Sequence, residues 1–262
     1  MMIIKHELRS YQKTFLIWTV SIITLDFLML LLYPSLQETL TSMGENYKKM
    51  GAFGTAFGMD QLDMATAMGY YGIYIGTMLA LCGAMFAAMI GTGVLSKEES
   101  GHTAEYLYTL PYSRNYVVFH KIIAILVLLI FFNLLNFIFG LFGLQMIDAE
   151  YSMRQMILYH IGQFFLHLEV AAICILISAC SKKVNVGLGL GISLLLYFMD
   201  MMSRVLDQLK PLKYITPFYY TNAIEIFTSN SISIDLLIIG VFTTIVCLLG
   251  SIVIYQKRDL YA

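Results

Sequence analysis

Charge is scarce in this sequence and nearly balanced in sign: 13% of the residues are charged and the formal net charge is −1. That excludes a basic footprint for nucleic acid and an acidic or basic tail for a partner held by bulk charge. Cysteine is sparse as well. Cys82, Cys174, Cys180 and Cys247 all fall within apolar runs or at the end of one. They cannot staple an exposed loop there, and they read as free thiols acting as small apolar residues. No lysine follows a glycine anywhere, so there is no G-x-x-x-x-G-K-[ST] loop to cradle the phosphates of a nucleotide.

What is abundant is apolar surface. Hydrophobic residues make up 59% of the chain and its mean hydropathy is +0.75, far outside the range of soluble globular domains. Six runs are long enough to cross a hydrocarbon core, which takes roughly 20 residues of helix. They lie near residues 14–33, 69–95, 122–147, 156–180, 184–202 and 233–255. Backbone polar groups in lipid must pair within the segment, and these runs do not alternate as barrel strands do. The expected fold is therefore an all-α integral membrane protein with six transmembrane helices. Lys5, Arg9 and Lys13 precede the first run as they would in a signal peptide, but the run is too long and no small-x-small site follows it, so a retained span is expected.

Lysine and arginine set the orientation. With both termini cytoplasmic, the inner segments hold Lys5, Arg9, Lys13, Lys97, Arg114, Lys121, Lys182, Lys183, Lys257 and Arg258. The longer outer segments hold only Lys48, Lys49, Arg154, Arg204, Lys210 and Lys213. The N-terminal stretch 1–13 places Ile4, Leu8, Tyr11 and Phe15 on one helical face, the pattern of an interfacial helix. Leu36, Leu40, Met43, Tyr47 and Met50 predict a second amphipathic helix, on the outer side.

The loop 96–121 is shaped. Ser96 and Glu99 have capping-box spacing, Gly101 interrupts the turn they start, and Thr103 can cap a new helix over 104–109 with Glu105 in its first turn. Pro111 ends that helix and Ser113 caps the next span. A short stiff helix between two spans, edged by Glu98, Glu99 and Glu105, is a docking element. Arg114 and Lys121 would anchor the chain's re-entry into the membrane.

This pattern, Glu98, Gly101, Thr103, Glu105, Leu107, Pro111, Ser113, Arg114 and then Lys121, resembles the first intracellular loop of ABC-2 type exporter permeases. The resemblance runs along the whole chain. It implies a permease fold like that of type V exporters, in which Glu98, Glu99, Gly101, Thr103, Glu105, Leu107, Pro111, Ser113, Arg114 and Lys121 form the coupling segment seated on an ABC ATPase. It further implies an interfacial helix at 1–13, a second short contact at Ser181, Lys182 and Lys183, and an outer re-entrant region at 203–232. ATP and Mg would then belong to the separate ATPase chain, and this chain would carry no cofactor of its own. A second permease protomer, identical or sibling, would complete the transporter in a bacterial plasma membrane, exporting a drug, peptide or lipid-like molecule.

Within the spans, Gly72, Gly76, Ala80, Ala84 and Ala88 repeat every fourth residue, and Gly187 and Gly191 form a G-x-x-x-G pair. Either set suits close helix packing or the border of a substrate pathway. Leu79 is expected on the lipid side of the first ridge. Asp26, His167 and Glu169 are ionisable at membrane depth and should face protein or water. His160, Gln163, His167 and Cys174 form one stripe, and Glu169 lies about 200° from His167. Histidines seven apart without a third donor lack metal-ligand spacing, so no metal is expected. Two other classes stay open: an ion-coupled carrier using Asp26, His167 and Glu169, and an intramembrane enzyme. Against the enzyme, "EESGHT" puts Thr103 where an E-E-x-x-x-R protease needs arginine.

Overall fold

A computed structural model of the chain describes residues 2–48, 50–104 and 111–258, and among these the regular elements are helices, with no strand. Six helices are long and apolar enough to cross a membrane. In order they are Met2–Lys48, Ala67–Gly93, Arg114–Met146, Met153–Cys180, Val186–Val205 and Ile234–Lys257.

The first helix departs most from expectation. The interfacial helix, the first span and the outer amphipathic helix are one continuous element of 47 residues with Pro34 inside it, roughly 70 Å long against a hydrocarbon core of about 30 Å. Its extension beyond Pro34 is held rather than loose. Tyr33 Oη donates to Ala65 O at 2.6 Å, Gln37 Nε2 reaches the same carbonyl, and Leu40 is buried. Leu36, Met43 and Met50 stand exposed, and the side chain of Tyr47 is outside the described residues.

The second helix passes through a π-helical turn, Tyr71–Ile75, entered from Thr66, whose side chain accepts the Gly69 amide. The third starts at Arg114, several residues before the apolar run. Ser113 caps it by accepting from Tyr116 N, and Lys121 finds partners inside the protein, so the charges at 114–121 do not end the helix.

The second and fourth helices are the most buried of the six. They cross tightly where a side chain would not fit: a Cβ at Gly83 would lie 2.2 Å from His167 Nε2, and one at Gly91 would lie 2.8 Å from Ala171 O. The predicted small ridge turns elsewhere and is covered within the chain. Gly72 faces Phe227, Gly76 faces Ala223 and Tyr159, and Ala80, Ala84 and Ala88 pack with Leu166, Val170, Leu196 and Phe218. Ser193 Oγ donates to Ala84 O at 3.2 Å, drawing the fifth helix onto this ridge. Leu79, expected in lipid, is buried in the core. The G-x-x-x-G pair points the opposite way: Gly187 and Gly191 are exposed with nothing near their missing side chains, and it is Gly189 that meets the second helix at Ala88 and Thr92.

Between the fifth and sixth helices the chain forms a 3-10 segment, Asp207–Tyr214, and two short helices, Pro217–Tyr220 and Ala223–Ser229. These turn inward. Gln163, about 15 Å along the fourth helix from its start, donates to Thr221 O at 2.9 Å, and Tyr220 reaches Glu169 deeper still at 2.8 Å.

The two glycine environments separate experimentally. In the isolated protein in detergent, Gly83→Ala should lower the free energy of unfolding by about 1–3 kcal/mol through overpacking against His167. Gly187→Ala should leave the thermal midpoint unchanged, and equal effects at the two sites would contradict the observed packing.

Candidate functional site

Two polar assemblies stand out. One is built on the loop after the second helix and draws in Glu7 of the first helix and Arg258 at the end of the sixth.

That loop begins as a single helical turn, Lys97–Ser100, closed at Gly101. The capping box does not form: Ser96 makes no side-chain cap and instead donates to Thr92 O at 3.0 Å. Its backbone amide and that of Leu95 are taken by Ser178 Oγ of the fourth helix. His102 adopts φ +54°, and the chain turns back as Thr103 N donates to Glu98 O at 2.8 Å. Thr103 Oγ1 also donates to Glu98 O, at 3.4 Å. The helix expected at 104–109, with Glu105 and Leu107, lies almost wholly outside the described residues; only Ala104 is placed, and it is buried.

The acids of the loop point inward. Glu98 and Glu99 were expected at an exposed docking edge, and both are buried. Glu98 pairs with Lys121, whose ammonium also bonds Val94 O at 2.7 Å and lies 3.2 Å from Glu7. Lys97 pairs with the other oxygen of Glu7 at 2.5 Å and sits over the Tyr11 ring. Glu99 takes Arg258 at 2.6 Å, and Arg258 also donates to the carbonyls of Ser178 and Ala179, which end the fourth helix. Arg114 donates to Gln256 O and Arg258 O, so it grips the end of the sixth helix. Lys121 is 1% exposed, and a buried ammonium needs such close anionic and carbonyl neighbours. Glu7 and Arg258 are members that sequence reasoning missed, because neither residue type nor spacing links residues this far apart in the chain. Among the described residues of the loop's turns, Ser100, Gly101, His102, Thr103, Pro111 and Ser113 are exposed.

The second assembly runs through the interior. His160 Nε2 lies 3.1 Å from Tyr71 Oη, His167 Nδ1 lies 3.1 Å from Asn133 Oδ1, and Tyr159 Oη donates to Gly76 O at 2.8 Å. Glu169, on another face of the same helix, accepts from Tyr220 Oη. Burial and the Glu169 carboxylate push the Tyr220 pKa above its ordinary value, which keeps that hydroxyl a donor. Sequence reading also passed over Asp200, which pairs with Arg204 at 3.1 Å. Arg204 in turn reaches Glu225 at 3.3 Å and Tyr219 O, fastening the short helices to the fifth. The i,i+4 spacing of Asp200 and Arg204 was the available signal. Asp26 stands apart, bordering a cavity between the first and second helices.

A multi-pass helical bundle with no nucleotide loop of its own, and with a braced loop between two spans, has the build of the membrane-embedded part of a transport machine. The chain matches the family described as ABC-2 family transporter protein over residues 1–260 and belongs to it. It is thus the permease component of an ABC transporter. No curated protein matches the chain.

Removing one member of the braced cluster should be costly. Lys121→Met leaves Glu98 buried without its cation and Glu7 with Lys97 alone, and should destabilise the protein by about 3–5 kcal/mol in denaturant titrations. Adding Glu7→Gln and Glu98→Gln should restore part of that loss. Lys210→Met, which breaks the exposed pair with Asp207, should change nothing measurable.

Proposed function

We propose that this chain is one permease half of an ATP-driven exporter, working beside a second permease protomer and on ABC ATPase subunits that hold ATP and Mg, and moving an amphipathic substrate outward. Both termini would face the cytoplasm of a bacterial cell, as the lysine and arginine distribution favours.

The observation that carries the proposal is the bracing of loop 96–121. Its turn is tied to the first helix through Glu7, to the third through Lys121, to the fourth through Ser178 and to the end of the sixth through Arg258. A displacement imposed on the loop by an ATPase would therefore be shared by several spans at once. Contact with the ATPase would come from the exposed rim, Ser100 to Thr103 and Pro111 to Ser113, around the segment expected to dock, with Lys182 and Lys183 as a second exposed contact. Glu98 and Glu99 would act from behind that rim, setting its position.

The ion-coupled alternative finds less support. His167 and Glu169 each bond a different neighbour on different faces of one helix, and Asp26 borders a cavity elsewhere, so the three do not line up as a relay.

Two experiments test the proposal. When the chain is expressed with its transporter partners, an ABC ATPase should co-purify, and Glu99→Gln should weaken substrate-stimulated hydrolysis several-fold while the ATPase stays bound. Absence of any ATPase would sink the permease-half reading. In a cysteine-free background, Thr39→Cys should react with a membrane-impermeant thiol reagent added to intact cells, whereas Ser100→Cys should react only after lysis. The reverse pattern would overturn the orientation.

A further inference from the structure

A cavity of about 390 Å³ lies between the first and second helices and beneath the short helix Ala52–Phe57. Its walls include Met29 from the first helix, Phe53 and Phe57 from the short helix, and Ile75 and Met78 from the second. Apart from the hydroxyls of Thr77 and Tyr74, one polar group enters it: the carboxyl of Asp26, which is 9% exposed and has no hydrogen bond or ion pair among the described residues. Phe53 and Met78 stand exposed at the mouth, so the cavity opens along the flank of the bundle.

We propose that this cavity binds an amphipathic amine, with the ammonium against Asp26 and the apolar body among the methionine and phenylalanine side chains. A lone carboxyl at membrane depth is stable only with a proton or a cation beside it. Two other interior acids are partnered, Glu169 on Tyr220 and Asp200 on Arg204. The volume falls within the range of drug-sized pockets, roughly 300–1,000 Å³. The rings of Phe53 and Phe57 add faces that attract a cation, and methionine side chains adapt to apolar bodies of varied shape. A neutral lipid tail would gain nothing from Asp26, and an anionic ligand would be repelled by it. Charge complementarity thus selects the amine. The inference deepens the transport reading and rests on it for the fate of the ligand, while the binding step stands on the cavity alone.

The test uses the full chain in nanodiscs without any ATPase, and two photoreactive probes of the same carbon skeleton, one a tertiary amine and the other its uncharged amide. The amine should label the first helix near Asp26, the short helix Ala52–Phe57 and the second helix near Met78, and it should do so more strongly than the amide. Asp26→Asn should cut labelling by the amine roughly tenfold or more, the scale of a lost charged hydrogen bond, and leave the amide unchanged. Asp26→Glu should retain most of it, and Met78→Trp, which fills the mouth, should lower labelling by both probes. Equal labelling by amine and amide, labelling that maps elsewhere, or an unchanged Asp26→Asn variant would overturn the proposal. So would a disulfide formed between two copies of Met78→Cys with labelling absent, which would give the cavity to a second protomer. A chain that selects the amine but recruits no ATPase would overturn the permease reading and leave this one standing; the reverse outcome would do the opposite.

Discussion

The ammonium of Lys121 is the constraint on which one end of this molecule is organised. It sits almost wholly out of water, and a buried cation is tolerable only with anions and carbonyl oxygens close around it. Glu7, Glu98 and Val94 O supply them. Each of those groups belongs to a different part of the chain, so satisfying one charge fixes the first helix, the loop and the third helix together. Glu99 and Arg258 repeat the arrangement for the fourth and sixth helices. A loop held only by apolar contacts could slide, because dispersion has little directional preference. A loop held by paired buried charges has few alternative positions.

The bundle interior follows a related rule by other means. The polar side chains of the fourth helix are paired one to one with a nearby hydroxyl, amide or carbonyl: His160 with Tyr71, His167 with Asn133, Gln163 with Thr221 and Glu169 with Tyr220. Two of those partners come from the segment near 217–229, so the fourth helix holds that segment inside the bundle through Gln163 of its polar stripe and Glu169 of another face. The Asp200, Arg204 and Glu225 group fastens its other side. Side chains that look like a site for chemistry when read along one helix are here largely the fastenings of an inserted segment.

Much of the architecture was legible in the residues. Hydropathy over about 20 positions marks a span because every backbone group in lipid must pair locally, and six such runs correspond to six helices. Ser113 declares a helix start that the structure keeps. The alternation of small residues on the second helix marked a close packing face, though not which neighbour fills it. What stayed hidden was long-range. The direction of Glu98 and Glu99 depends on Lys121 and on Arg258, which lies 159 positions beyond Glu99, and polarity alone says only that such residues want water or a partner. The continuity of the first helix through Pro34 was hidden for a different reason, since proline, charge and changing amphipathicity all suggested breaks. Leu79 was misplaced because a face opposite one packed ridge need not face lipid when a second helix covers it.

The pairing of Glu99 with Arg258 also bears on how the protein is made. Synthesis proceeds from the N-terminus, so Glu99 is in place long before its cation leaves the ribosome. Until then the loop carries an acid with no counter-charge in a position meant to be buried. It can settle only when the last turn of the sixth helix arrives and Arg258 also takes the carbonyls that end the fourth. A chain that stalls before its sixth helix would keep Glu99 without its cation and the carbonyls of Ser178 and Ala179 without the Arg258 donor, so the last span to be made completes a loop made long before it.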